Sequence, residues 1–402
     1  MLPVPIFFHK RVFISHIDGY NQIIHILVGT KMIPVKICLS VTNDIITDQR
    51  VNRIAVSLTG LRADVTIVGR KRKNSPGLTN SEIRFRRFRL MFNKGPLFYA
   101  CYNVRLFFYL LFHQFDVLVA NDLDTLPASF LISKIKRTKL VYDSHEYFTE
   151  VPELVNRKFV KGIWEKLEKW MVPKIMHSYT VCNSIAEIYN QKYGTDMKVI
   201  RNLPYYHPGD PNPESRKLSH EKTIIYQGSV NQGRGLELVI HSMRYLENVR
   251  FWIFGDGDIS GDLKNEVRKL KLESAVQFKG RVLPDELIQY TVQADVGISL
   301  EENLGLNYYY ALPNKLFDYI SANIPVLVSD FPEMGPLVKK YDIGIATITT
   351  DPHELAVIIK SMLHDSEKIR KWKKNLQKAA SELCWENEER KLLDFYRELI
   401  SF

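Results

Sequence analysis

Apolar residues along the chain keep two rhythms. Short, nearly solid apolar runs occur at residues 35–41, 63–68, 116–120 (DVLVA), 139–142 (KLVY), 178–182 and 198–200. Runs of this kind suit strands buried on both faces, as in parallel sheets. Between them the spacing turns helical. Val51, Ile54, Ala55 and Leu58 share one face of a segment over 48–61, a second helix fits 126–135, and a third opens at Asn183-Ser184, a good N-cap pair. Strand, helix, strand in alternation predicts a doubly wound parallel sheet.

The rhythm breaks at 205–222 (YYHPGDPNPESRKLSHEK), which is rich in proline and charge and reads as a linker. It restarts at 224–226, 250–254 (RFWIF), 276–278, 295–299 (DVGIS), 325–328 and 344–346, a second α/β domain of the same type. Residues 385–400 form an amphipathic helix with Leu392, Leu393, Phe395, Tyr396 and Leu399 on one side. The expected organisation is an extension at 1–34, a first domain at 35–205, a linker at 206–222, a second domain at 223–380 and a terminal helix at 381–402. The apolar stretch 96–112 is short for a membrane span and contains Asn103 and Arg105. It reads as a core helix of the first domain, with an interfacial helix as the alternative. The first 31 residues lack a small-residue cleavage site and do not resemble a signal peptide. The strand pattern opens only at Val35, which leaves Met32 as an alternative start.

Composition narrows the class. A chain of 402 residues with 45% hydrophobic and 25% charged residues suits two globular domains. Cys38, Cys101, Cys182 and Cys384 are far apart in sequence and form no metal-type spacing, which suits a reduced, cytoplasmic protein. The net charge of +10 is unevenly placed: 30 basic and 16 acidic residues precede Asn202, against 25 and 29 after it. The densest basic stretch is Arg70-Lys71-Arg72-Lys73, followed by Arg84, Arg86, Arg87 and Arg89. It reads either as a solvated basic loop or as an attractor of anionic lipid, phosphate or nucleic acid.

Candidate chemistry lies where strands end. Gly228-Ser229-Val230-Asn231-Gln232-Gly233-Arg234-Gly235 follows a strand and opens a helix. Glycines permit close backbone approach to an anion, free N–H groups favour phosphate, and Arg234 adds a fixed charge. The segment is neither a P-loop nor a dinucleotide turn, and a plain turn with a surface arginine is the bland alternative. Asn314 and Lys315, in a loop after Pro313, precede a helix that carries Asp318 in apolar company. Lys315 suits a phosphate and Asp318 a ribose diol; a surface lysine and a solvent-facing aspartate are the alternatives. Asp143-Ser144-His145-Glu146 follows the strand KLVY at the ligand-binding edge of a sheet. There His145 is placed to meet a sugar hydroxyl or an anion. His145 and Glu146 have no partner at metal-ligand spacing, and the chain shows no serine-nucleophile elbow.

Taken together, these segments resemble the retaining glycosyltransferases of family 4, which have the GT-B fold of two facing Rossmann-like domains. YQGSVNQGRGLE resembles the family's diphosphate loop and FGDGD its apolar-Gly-x-Gly turn. VQFKGRV with LIQYTVQADVGISL resembles the stretch that holds the base. PNKLFDYISANIPVLVSD resembles the helix and strand bearing the family's second acidic residue. KLVYDSHEYF and the Arg201-Asn202 turn resemble first-domain features, and the last helix the one that crosses back to the first domain.

The resemblance implies that Arg234 and Lys315 hold the donor diphosphate, that Asp318 holds the ribose, and that Gly228 and Gly235, with Ser229 and Asn314 beside them, shape the donor site. His145 would be the catalytic-site residue at the transferred sugar, with Asp143, Glu146, Asn202 and Tyr310 as acceptor or sugar contacts. It implies no metal and no cofactor, only a nucleotide-diphosphate sugar as co-substrate, with the donor phosphate assisting the incoming hydroxyl. Asp122-Leu123-Asp124 has Asp-x-Asp spacing but ends a first-domain strand. Two residues depart from the pattern: Tyr310 stands where the first glutamate of the acidic pair belongs, and Ser229 where a basic residue is usual. Glu301 or Glu302 is the candidate replacement carboxylate, the alternative being that none replaces it.

The expected function is sugar transfer to a glycan or lipid-linked acceptor in cell-surface polysaccharide synthesis, at the inner face of the plasma membrane. The alternatives are a nucleotide-sugar 2-epimerase of the same fold and a catalytically degenerate binding partner. Nucleic acid is the weaker rival for the basic half, with Phe85 and Phe88 among the arginines its slight support.

Overall fold

The computed structural model describes residues 34–402 apart from 74, 76, 78–82, 156, 207–220 and 402. The extension expected at 1–34 and the linker expected at 206–222 therefore lie almost wholly outside the described residues.

The first domain is a seven-stranded parallel sheet: β1 (Lys36–Asp44), β2 (Asp64–Arg70), β3 (Arg84–Phe88), β4 (Val117–Asn121), β5 (Lys139–Ser144), β6 (His177–Thr180) and β7 (Lys198–Val199). The order is β3-β2-β1-β4-β5-β6-β7. Helices α1 (Gln49–Thr59), α2 (Gly95–Phe112), α3 (Leu126–Lys136), α4 (Lys158–Met171) and α5 (Asn183–Tyr193) connect the strands. Strand order reverses between β1 and β4, which pair in register Leu39 with Val119. In open α/β sheets that switch point opens a crevice at the carboxyl edge.

The second sheet holds six parallel strands: β8 (Lys222–Gln227), β9 (Val249–Phe254), β10 (Val276–Gly280), β11 (Val296–Ser299), β12 (Val326–Ser329) and β13 (Gly344–Thr347), ordered β10-β9-β8-β11-β12-β13. Its helices are α6 (Leu236–Ser242), α7 (Ser260–Lys269), α8 (Pro284–Thr291), α9 (Asn314–Ser321), α10 (Met334–Tyr341), α11 (Pro352–His364) and α12 (Ser366–Glu382). Here the switch point lies between β8 and β11.

The final helix, α13 (Trp385–Ser401), packs on the first domain. Its Trp385, Leu392, Tyr396 and Leu399 are buried in one cluster with Val51, Ile54 and Leu58 of α1. Polar contacts fix its pose: Trp385 Nε1 donates to Ser57 Oγ at 3.1 Å, and Lys139 Nζ to the Leu399 carbonyl at 2.7 Å. Close to this junction the Trp385 N–H donates to the Pro204 carbonyl at 2.7 Å.

Three segments differ from their reading in the sequence. Part of the basic stretch is no loop: Arg84–Phe88 is the edge strand β3, paired to β2. Its Phe88 is buried while Arg84 and Arg86 point outward, and charge on an edge strand discourages pairing with another chain. Asn314 and Lys315 form the first turn of α9 rather than a loop. The stretch 96–112 is a helix of the first domain, as expected, but only one of its faces belongs to the core. One face of α2 buries Phe98, Tyr102, Leu106 and Leu110 against the sheet, while Val104, Phe108 and Phe112 on the other face are exposed.

Candidate active site

Both switch points open onto one cleft. On the second domain, β8 ends at Gln227 and the loop passes Gly228 (φ +138°), Gly233 (φ +81°) and Gly235 (φ +66°) before α6. A Cβ on Gly235 would stand 2.0 Å from the Leu300 carbonyl oxygen. Only glycine combines that backbone conformation with that approach. The loop therefore lies against the end of β11 and places Arg234 beside Glu301.

Glu301 is fully buried, and two cations share it. Lys315 Nζ is 2.9 Å from its Oε1, and Arg234 Nη1 is 3.4 Å from the same oxygen. Ser299 Oγ donates to Oε2 at 2.9 Å. Burial alone would raise the Glu301 carboxyl; Lys315 and then Arg234 outweigh it and hold the group below its usual range, so it is ionised. Aromatic rings back the cations: Arg234 lies 4.3 Å over Tyr308 and Lys315 4.2 Å over Tyr226. Two positive charges thus converge on one carboxylate at a glycine-rich turn. Of the two carboxylates considered from sequence, Glu301 joins this cluster, and Glu302 does not: it is exposed and its N–H donates to the Gly233 carbonyl. Gly228 and Ser229 are exposed beside the cluster.

Asp318 lies in the second turn of α9. Its Oδ2 accepts from Gln227 Nε2 at 2.8 Å, and Gln227 Oε1 in turn accepts from Thr291 Oγ1 at 2.9 Å. Burial raises the Asp318 carboxyl to about 6, against the opposing pull of Arg53 and Gln227. Asn314 is exposed, and its Oδ1 accepts from Asn202 Nδ2 at 2.9 Å, a bond that joins the two domains.

On the first domain, His145 stands between two carboxylates. Its Nε2 is 3.0 Å from Asp143 Oδ2, its Nδ1 is 3.4 Å from Asp122 Oδ2, and its backbone N–H donates to Asp122 Oδ1 at 2.7 Å. Burial opposes protonation of the ring, but the two carboxylates outweigh it and raise the imidazole to about 10. Asp143 is fully buried and also binds Arg50 through both oxygens, at 2.9 and 3.2 Å. In this structure Asp143 orients His145 and has no exposed atom to offer a sugar. Glu146 Oε2 accepts from Asn307 Nδ2 at 3.3 Å, and Asn307 Oδ1 takes the Tyr147 N–H at 2.9 Å. The Glu146 charge also acts across the cleft on Arg234. Tyr310 meets the first domain through its backbone, where its carbonyl accepts from Cys182 Sγ at 3.4 Å. Asp122 and Asp124 lie just past the end of β4, and Asp122 adopts a left-handed backbone (φ +63°).

The sequence reading missed Arg50, Arg53 and Gln227, and it took Asp122 only as the end of a strand. Arg50 and Arg53 occupy α1 positions four residues before Ile54 and Ser57, both buried. A cation aligned with the core face of a helix is the signal that marks them. Arg53 Nη2 donates to Asn202 Oδ1 at 2.6 Å and feels Asp318 across the cleft. A surface concavity of about 500 Å³ lined by Lys36, Asp64, Arg84 and Phe115 lies at the opposite edge of the first sheet, away from these groups.

Residues 211–379 match the family described as Glycosyl transferases group 1, and residues 48–203 match Glycosyltransferase Family 4. The chain belongs to the group 1 glycosyltransferases. Solved structures of similar fold include a sucrose-phosphate synthase from Thermosynechococcus elongatus, with a TM-score of 0.75 at 16% identity over 91% of this chain and 99% of that one. The Anabaena protein HepE in complex with UDP-glucose gives 0.69 at 16% identity over 91% and 100%. The architecture shared with these structures is GT-B. Among curated relatives, a chitobiosyldiphosphodolichol beta-mannosyltransferase from Candida albicans is 24% identical over 63% of this chain and 62% of its own length. An alpha-monoglucosyldiacylglycerol synthase from Streptococcus pneumoniae is 23% identical over 45% and 40%. The match thus spans under two thirds of either curated relative.

Proposed function

We propose that this chain is a retaining glycosyltransferase that moves a sugar from a nucleotide-diphosphate donor to a glycan or lipid-linked acceptor. The observation that carries the reading is the convergence of Arg234 and Lys315 on buried Glu301 at the β8–β11 switch point. A nucleoside diphosphate there meets two cations already oriented and partly desolvated, so little reorganisation is left for the reaction. Asp318, a helical turn further along α9, receives the ribose diol, and His145 meets the sugar or its departing phosphate from the first domain.

In the retaining reading, the acceptor oxygen bonds to the anomeric carbon as the bond from that carbon to the diphosphate oxygen breaks. The acceptor proton passes to the leaving phosphate. The protein supplies positioning and charge stabilisation of the leaving group, with no protein nucleophile. The names of both curated relatives speak of lipid acceptors, a diphosphodolichol and a diacylglycerol, which supports a lipid-linked acceptor here. The basic first half favours an anionic acceptor and a membrane-peripheral enzyme of surface-polysaccharide synthesis, working at the inner leaflet. The donor site is read as needing no metal or other cofactor.

The test is a thermal-shift screen against UDP, GDP, ADP, CMP and their sugars, with Arg234→Ala in parallel. One nucleotide family is expected to raise the melting temperature through binding to the native state, and the variant is expected to lose that shift. No shift with any of them sinks the reading. Proton NMR of the product's anomeric centre then decides between retention and inversion.

A further inference from the structure

The outer face of the first domain carries a feature that sugar transfer does not use. Helix α2 has 18 residues (GPLFYACYNVRLFFYLLF), and Arg105 is its sole charged one. A helix apolar all round is normally buried all round. Here Phe98, Tyr102, Leu106 and Leu110 are buried, while Leu97, Val104, Phe108 and Phe112 form a second stripe that faces solvent. Phe108 is 52% and Phe112 78% exposed, and their rings stack at 6.5 Å.

The stripe continues onto neighbouring helices. Leu131 and Ile135 of α3, which packs beside α2, and Trp170 of α4 are exposed too. Trp170 packs edge-on against Phe130 of α3, so the surface is continuous from α3 to α4. Basic groups border it: Lys134 lies 5.3 Å from the Phe130 ring and Lys174 5.1 Å from that of Trp170. Helices α2 and α3 together carry Arg105, Lys134 and Lys136 and no acidic residue.

We infer that this α2–α3–α4 face lies on an anionic lipid surface, with the Phe108–Phe112 stripe entering the headgroup boundary and the surrounding lysines and arginine meeting lipid phosphates. Apolar insertion combined with basic attraction is the recipe of an interfacial helix. Charge argues against a second copy of the chain as the occupant: pairing the face with itself would bring like charges together, whereas an anionic bilayer complements them. No helix among the described residues is long and apolar enough to cross a membrane. The contact is therefore one of lying on the surface.

The N-terminal end of α2 follows the carboxyl end of β3, at the cleft edge of the sheet, where Met91 is 84% exposed. The face thus runs from the cleft rim down the domain. This rests on the transferase reading for its purpose, a headgroup-level acceptor entering the cleft, but not for its existence.

The experiment is co-sedimentation of the full chain with vesicles of phosphatidylcholine alone or with phosphatidylglycerol, at low and physiological salt. The double variant F108E/F112E is run beside it. Both side chains are exposed, and the variant's melting temperature checks its fold. The wild type is expected to partition onto the anionic vesicles, and the variant to lose about tenfold in partitioning. No binding at either salt overturns the proposal, as does equal binding by the variant, which would place the contact elsewhere. Light scattering that shows a dimer broken by F108E/F112E overturns it in favour of self-association. The nucleotide thermal shift, measured on the same two proteins, separates failure here from failure of the donor-site reading.

Discussion

Glu301 sets the electrostatics of the proposed donor pocket. With its charge removed, Lys315 and Arg234 face each other as like charges, and Lys315 is almost fully buried. Glu301→Gln is expected to destabilise by about 3–5 kcal/mol, the usual cost of an uncompensated buried charge. A bound diphosphate would restore compensation. The melting-temperature rise on adding the cognate nucleotide should therefore be larger in Glu301→Gln than in the wild type; an equal or smaller rise would separate these cations from the diphosphate. Asp318 gives a pH signature. Its carboxyl is raised to about 6, so the folded protein holds this proton more tightly than an ordinary aspartate does. Its contribution to stability is full below the ordinary aspartate value of 3.8 and is lost as pH rises through about 6. In the proposed donor site the ribose is held by the ionised form, so donor affinity measured by calorimetry should climb between about pH 5 and pH 7. Asp318→Asn should flatten that climb. For His145 the sign is opposite in charge: its raised value means that the imidazolium stabilises the fold below about 6.5. That contribution is lost as pH rises through about 10. Urea titrations across that window should show a decline in stability that His145→Gln lacks.

Elements carry a different lesson. Helix α13 is sequence-remote from the first domain but supplies part of its core, through Leu392, Tyr396 and Leu399. Leu392→Ala should cost about 2–5 kcal/mol and, being remote from the donor pocket, should leave nucleotide binding intact at temperatures where the protein is folded. Denaturant unfolding with a parallel calorimetric titration checks both. This helix was legible from its amphipathic pattern, and so were most strands, because parallel strands buried on both faces leave solid apolar runs. Strand β3 was not, since an edge strand written RFRRF carries the charge of a loop. The glycine-rich turn after β8 and a carboxylate in apolar company at Asp318 were legible because glycines and lone carboxylates stand out near strand ends. The Arg50–Asp143–His145–Asp122 chain was not. It joins residues up to 93 positions apart, and nothing local in α1 says that a buried arginine will meet β5.

At the scale of the molecule, the domains touch through polar contacts, Asn202 with Asn314, Tyr147 with Asn307, and the Ser184 N–H with Glu333 Oε1 at 2.6 Å, and through one buried apolar cluster that holds Tyr147, Phe148 and Cys182 with Leu312, Leu316 and Phe317. Opening the cleft therefore breaks these bonds and also uncovers part of that shared cluster. What does not part so easily is the junction behind it. The chain leaves the first domain after Pro204 and returns at Trp385, and those two residues are hydrogen-bonded to each other. The neighbouring pair repeats the tie, with the Tyr206 N–H on Glu386 Oε2 at 3.0 Å. In mechanical terms this is a spine: two covalent crossings fastened side by side fix one line about which the halves swing like covers of a book. Sliding or twisting of one half over the other would shear these two bonds, whereas swinging about them would not.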